Sequence, residues 1–133
     1  MKILIKGAGD LATGVAYELF ARGHQIIMTE IEVPLTVRRQ VAFSRAVYRE
    51  STVVEGVAAE LAQDIKAAQD ILAQGKIAVM VDPEAAVVDE YRPDVMIDGI
   101  MAKKNKGTKI TDAPVVICLG PGFTAGEDCH AVI

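Results

Sequence analysis

The residues best suited to chemistry open the chain. Gly7-Ala8-Gly9-Asp10-Leu11-Ala12 matches the pattern G-x-G-x-x-G/A, between an apolar run and a segment of helical period. In that pattern Gly7 makes the tight turn and Gly9 lets a pyrophosphate approach the backbone without a Cβ in the way. Ala12 keeps the following helix close to the sheet, and Gly14 is expected to relax the same packing. Backbone amides such as those of Ala8, Asp10 and Leu11 then become anion donors, and the helix dipole adds about 0.3–1 kcal/mol of attraction. Asp10 is either a carboxylate that repels phosphate or the helix N-cap. The pattern also calls for an acid roughly 20 residues on, to accept from a ribose hydroxyl. Glu30 stands there. The competing account is a glycine turn made only for close strand–helix packing. Arg38 and Arg39 follow Glu30 and suit either a ligand's 2′-phosphate or a solvated helix face.

A second constellation lies near the end of the chain. An apolar run over 115–119 leads into Gly120-Pro121-Gly122-Phe123-Thr124-Ala125-Gly126. Ligands of open α/β sheets bind beyond the carboxyl ends of the strands. Gly120 and Gly122 therefore fit an anion-binding nest, or else a turn that redirects the chain. Asp98 ends another strand, and Lys103 and Lys104 follow it. Those lysines either bring positive charge to the ligand or form a solvated charge run. Cys129 and His130 adjoin, but neighbours on an extended segment point to opposite faces, which argues against a nucleophile–base pair. Cys129 as a thiol handling sulfur, selenium or metal is the alternative. Cys118 suits a small buried hydrophobe, and His24 a turn. No Ser/His/Asp triad, paired metal ligands or hydride-transfer site stands out, so no residue is assigned as catalytic.

The elements that must position these residues follow from periodicity. The spacing predicts a strand over 2–6 and a helix over 10–22, with Leu11, Val15 and Leu19 on one line and Ala12, Ala16 and Phe20 beside it. Gly23 ends that helix, and a strand over 25–29 completes a βαβ unit. Further along come a helix over 35–45, irregular strand-like stretches over 46–48 and 53–61, and a helix over 65–74 stopped by Gly75. A buried strand over 77–81, a short helix over 83–90, a strand over 94–97, a polar loop over 102–113 and a strand over 115–119 follow. The sum is one α/β domain, 1–133, Rossmann-like, with a mostly parallel sheet flanked by helices. The apolar end at His130-Ala131-Val132-Ile133 reads as a buried strand or as the point where a longer protein continues. The second is preferred.

Composition narrows the class. With 133 residues, one hydrophobic core is expected. Apolar residues make up 51% and aromatics only 5%, which suits strands buried on both faces against small-residue helices. A net charge of −4 argues against nucleic acid as a partner. The apolar runs are far shorter than the roughly 20 residues that cross a bilayer. Two cysteines are too few for a disulfide scaffold, so a reduced, cytoplasmic protein is expected.

Taken together, Gly7 to Gly14, Arg38-Arg39-Gln40-Val41-Ala42-Phe43 and Val81-Asp82-Pro83 resemble a known family. So do Met101-Ala102-Lys103-Lys104-Asn105, Gly107-Thr108, Asp112-Ala113-Pro114, the Gly120 to Gly126 stretch and the last four residues. The family is that of selenium-dependent molybdenum hydroxylase accessory proteins of the YqeB type, distantly similar to the XdhC/CoxF maturation factors. The resemblance covers essentially the whole chain, and family members are longer, so it implies an N-terminal portion. It further implies a role in maturing a xanthine dehydrogenase-like molybdenum hydroxylase by handling its cofactor. The ligand expected is a phosphorylated small molecule, either NAD(P) or another nucleotide, or a molybdopterin-type cofactor. The apoenzyme would be a protein partner, and a homodimer is compatible. The alternatives are an NAD(P)-dependent oxidoreductase and a non-catalytic Rossmann-like interaction module.

Overall fold

The computed structural model describes residues 1–31, 42–101, 105 and 107–133. Among them the chain runs β1 (Lys2–Lys6), α1 (Asp10–Ala21), β2 (Gln25–Glu30), α2 (Arg45–Arg49), β3 (Ser51–Val54), β4 (Val57–Ala62), α3 (Ile65–Ala73), β5 (Ile77–Val81), α4 (Val88–Tyr91), β6 (Val95–Asp98), β7 (Val115–Cys118) and β8 (Ala131–Val132). One sheet takes the order β3-β4-β5-β2-β1-β6-β7-β8. Every pairing is parallel except the β3–β4 hairpin. This is the mostly parallel α/β architecture expected.

Continuous apolar strands make it so. Ile3, Leu4 and Ile5 of β1 and Ile26, Ile27 and Met28 of β2 are all buried, so both faces of the central strands need cover. On one face Ile3, Ile5, Ile26 and Met28 pack with Ala12 and Ala16 of α1 and with Phe43 and Ala46. On the other, Leu4, Ile27, Met80 and Met96 pack with Ile71 and Leu72 of α3 and with Tyr91 of α4. α1 turns its small residues, Ala12, Thr13 and Ala16, to the sheet. Leu11, expected on the apolar line, is 49% exposed at the mouth of the cleft described below.

Several expectations change. The segment 46–48 is part of helix α2 rather than a strand, its alanine buried with Phe43 in the core. The stretch 53–61 is a hairpin, β3 and β4, whose turn places Glu55 and Gly56 both at positive φ, 50° and 81°. That is the backbone sign a tight two-residue hairpin turn requires. The helix expected over 83–90 is only Val88–Tyr91, because Asp82 first closes a turn, its carboxylate accepting from the amides of Ala86 and Val87. Most of the helix expected over 35–45 lies outside the described residues. Gly9, not Asp10, holds the N-cap position of α1. Gly14 is exposed with open space around it, so it relieves no packing.

The strand order steps outward from β1 through β2 and β5 on one side, and from β1 through β6 and β7 on the other. Adjacent crossovers therefore leave in opposite directions between β1 and β6. Open α/β sheets place their ligand crevice at such a reversal, beyond the carboxyl ends of the strands.

Candidate functional site

A cleft of about 410 Å³ lies at that point. Its lining comes from the end of β2 and from the residues that follow β1, β5 and β6: Gly7, Gly9, Asp10 and Leu11 after β1; Thr29, Glu30 and Ile31 at the end of β2; Asp82 and Pro83 after β5; Gly99, Ile100 and Met101 after β6.

Close packing builds its floor. Gly7 has φ +94°, and a Cβ there would stand 3.0 Å from the carbonyl oxygen of Gly99 and 3.3 Å from Cα of Ile100. A Cβ on Gly99 would in turn lie 3.1 Å from Cβ of Ala12 and 3.3 Å from the Lys6 carbonyl oxygen. Two glycines and an alanine thus bring the turn after β1, the start of α1 and the end of β6 into backbone contact. The amide of Gly7 donates to the Thr29 carbonyl, and that of Gly99 to the Lys6 carbonyl, extending the ladders into the cleft wall.

Glu30 ends β2 and turns its carboxylate back to the glycine turn. Oε2 accepts from the amide of Ala8 at 2.9 Å and Oε1 from the amide of Ile31 at 2.9 Å. One amide of the expected phosphate cradle is therefore satisfied by the protein's own carboxylate, which an anion would have to displace. The carbonyl group of the same residue is also anchored. The Ala8 carbonyl accepts from the amide of Ser44 at 2.9 Å and from the hydroxyl of Thr13 at 3.2 Å. Thr13 Oγ1 in turn accepts from the amide of Phe43. Ala8 thus pins both Glu30 and the 43–44 backbone to the glycine turn.

The cleft's charge is one-sided. Asp10, Glu30 and Asp82 line it, and no lysine or arginine does among the described residues. Its rim is apolar: Leu11, Ile31, Ile100 and Met101 are each at least 38% exposed. Among the described residues no group of three or more metal-ligating side chains comes together.

Of the residues singled out by sequence, Gly7, Gly9, Asp10, Leu11 and Glu30 line this cleft. Ala8 and Ala12 are buried behind it. Arg38, Lys103 and Lys104 lie outside the described residues. Gly120 and Gly122 do not line it. Gly120 meets it indirectly, since a Cβ there would stand 3.1 Å from Sδ of Met101. Several amides of the loop that follows are spent within the chain: Gly120 donates to Ile133, Thr124 to the Asp128 carboxylate, Gly126 to Cys129, and Glu127 and Asp128 to Thr124. Cys129 is buried, whereas His130 is exposed and its Nδ1 accepts from the amide of Val116. Cys118 and Cys129 are free thiols in one core cluster. Burial, then a hydrogen bond with Cys129, push the Cys118 thiol well above the usual range, so it stays protonated.

Sequence reading missed Thr29, Ile31, Asp82, Pro83, Gly99, Ile100 and Met101 as cleft residues. It also missed a buried chain beneath them. Lys6 Nζ donates to Thr108 Oγ1 at 2.7 Å, and that hydroxyl donates to Asp98 Oδ2 at 2.6 Å. The signal available was Asp98-Gly99 and Asp82-Pro83, each an acid and a turn residue directly after an apolar run.

The fold and cleft define a mostly parallel α/β domain with a glycine turn at the reversal of its strand order. No protein-family profile matches the chain, and no solved structure matches it. It is 50% identical over 131 residues to "Uncharacterized protein YqeB" of Escherichia coli (strain K12). The match covers 98% of this chain and 24% of that protein. Such identity along nearly the whole chain supports kinship with YqeB, of which it spans about a quarter. Among the described residues no helix is long and apolar enough to cross a membrane.

Proposed function

We propose that the domain is Rossmann-like and that its cleft binds the nucleoside end of a dinucleotide-type cofactor whose ribose carries no 2′-phosphate. The observation that carries this is the Glu30 carboxylate, held at the cleft edge by two backbone amides. An ionised carboxylate offers about four lone-pair positions. Two are taken by Ala8 and Ile31, leaving two to accept from the neighbouring hydroxyls of a ribose. Fixed by backbone donors, the group loses little freedom on binding.

Charge decides between ligand variants. Asp10, Glu30 and Asp82 face the same space, which disfavours a phosphomonoester placed over Glu30 and favours donor edges, such as sugar hydroxyls or an amino group. The apolar rim of Leu11, Ile31 and Met101 suits the faces of a flat base. The N-terminus of α1 would meet the pyrophosphate, whose charge is spread over more atoms than that of a terminal phosphate. A volume of about 410 Å³ falls within the range of small-molecule sites. This arrangement supports a ribose role for Glu30. The resemblance to molybdenum hydroxylase accessory proteins suggests the setting, in which such a cofactor would serve the maturation of a partner enzyme. The geometry itself speaks only to the ligand.

Thermal denaturation with adenosine, AMP, NAD+, NADP+ and a molybdopterin preparation tests the proposal. A ligand present at 100 times its Kd stabilises by about 2.7 kcal/mol. Stabilisation by NAD+ and not by NADP+ is expected. No shift with any nucleotide, in a well-folded sample, would refute it.

A further inference from the structure

The first wall of the cleft, Gly99-Ile100-Met101, is held from below by groups that the ligand would never touch. Lys6 and Asp98 end β1 and β6 and stand opposite one another in register. Lys6, Asp98 and Thr108 are each no more than 2% exposed. The carboxyl of Asp98 has a separate task for each oxygen: Oδ1 accepts from the amide of Ile100 at 3.1 Å, and Oδ2 from the hydroxyl of Thr108 at 2.6 Å. The Thr108 hydroxyl also accepts from Lys6 Nζ. Its own backbone is fixed by Asn105, whose side chain accepts from the amides of Gly107 and Thr108 and donates to the Thr108 carbonyl. One carboxyl group thus ties Ile100, the middle residue of the cleft wall, to a residue ten positions from Asp98. Beyond Ile100 the backbone enters a strained conformation, Met101 at φ +62°, which persists only where the surroundings fix it.

We infer that Asp98 and Thr108, supported by Lys6, are positioning residues of the cleft: they set the Ile100–Met101 wall and through it ligand affinity, without contacting the ligand. The inference rests on the cofactor-binding proposal for its affinity consequence, but its structural half stands apart. A buried polar chain is worth most when every member is satisfied. Breaking it at Thr108 frees Asp98 Oδ2 and Lys6 Nζ together, and the wall loses its fixed anchor.

The test uses the whole chain with Thr108→Val and Thr108→Ser, read by hydrogen–deuterium exchange at the 99–101 amides and by titration with NAD+. In Thr108→Val, exchange at Ile100 should rise by about tenfold while α3 and β5 remain protected. NAD+ affinity should fall by about tenfold. Thr108→Ser, which keeps the hydroxyl, should restore both. If Thr108→Val fails to fold, Asp98→Asn carries the same readouts, since it keeps an acceptor for Ile100 but changes the partner of Thr108. Unchanged exchange at 99–101 in a folded variant overturns the inference. Raised exchange in a protein that binds no NAD+ even as wild type keeps the positioning role and overturns the cofactor proposal instead. Raised exchange with unchanged NAD+ affinity overturns the link between wall and ligand.

Discussion

Two glycines seven residues apart should respond to the same substitution with opposite signs. Gly7→Ala puts a methyl 3.0 Å from the Gly99 carbonyl oxygen and 3.2 Å from its carbon, on a residue at φ +94°. The backbone strain alone costs roughly 1–2 kcal/mol. The contact is with backbone and not with a side chain that can swing away, so overpacking adds about 1–3 kcal/mol. The total, about 2–5 kcal/mol, is a large part of the roughly 5–15 kcal/mol that holds a domain folded. Gly14→Ala sits mid-helix on an exposed face with nothing within 4 Å, and should stabilise by about 0.5–1 kcal/mol. Urea denaturation followed by circular dichroism reads both. With a slope of roughly 2 kcal/mol per M, Gly7→Ala lowers the midpoint by about 1–2.5 M, and Gly14→Ala raises it by a few tenths. Equal midpoints for wild type and Gly7→Ala would refute the close-approach reasoning, because no flexible group is present to absorb the methyl.

Other outcomes follow from single contacts. Thr13→Val keeps the shape but removes the acceptor for the buried Phe43 amide and the donor to Ala8; it should cost about 1–3 kcal/mol in the same urea assay. Glu30→Gln replaces the charged acceptor at the cleft edge, and NAD+ affinity by calorimetry should fall about tenfold while discrimination against NADP+ narrows. Burial raises both the Cys118 thiol and the Tyr91 phenol. The unfolded chain therefore gives up these protons first, and stability is full below the ordinary thiol range and declines as pH rises above about 8.5, by at most about 1.4 kcal/mol per pH unit per group. Cys118→Ala should flatten the first part of that decline in denaturation series from pH 7 to 10. Both cysteines are buried, so a thiol reagent should leave them unmodified in the native protein and label both once it is denatured.

Local signals explain what the sequence made legible. β1, α1 and β2 announce themselves because an apolar run, a glycine pair and a helical period follow one another without interruption, and Gly23 and Gly75 each stop a helix at positive φ, as expected. Glu30 was found by its distance from the glycine turn, but not its hold on the Ala8 amide, because that bond depends on the parallel pairing of β1 with β2. Segment 46–48 misled because Val47 and Tyr48 favour strands in isolation, whereas tertiary packing of Ala46 beside Phe43 settles it as helix. The hairpin turn was obscured by Glu55, a residue that rarely adopts positive φ. The far wall of the cleft required knowing that β6 lies beside β1, and Lys6 meets Thr108 across 102 residues of sequence. No periodicity carries that information.

Calorimetric titration of the wild-type chain with NAD+ and NADP+ side by side bears most directly on the role assigned to Glu30. One saturable NAD+ site per chain, with NADP+ at least about tenfold weaker, is the predicted result. Equal affinity for the two, or no heat from either with folded protein, would contradict it.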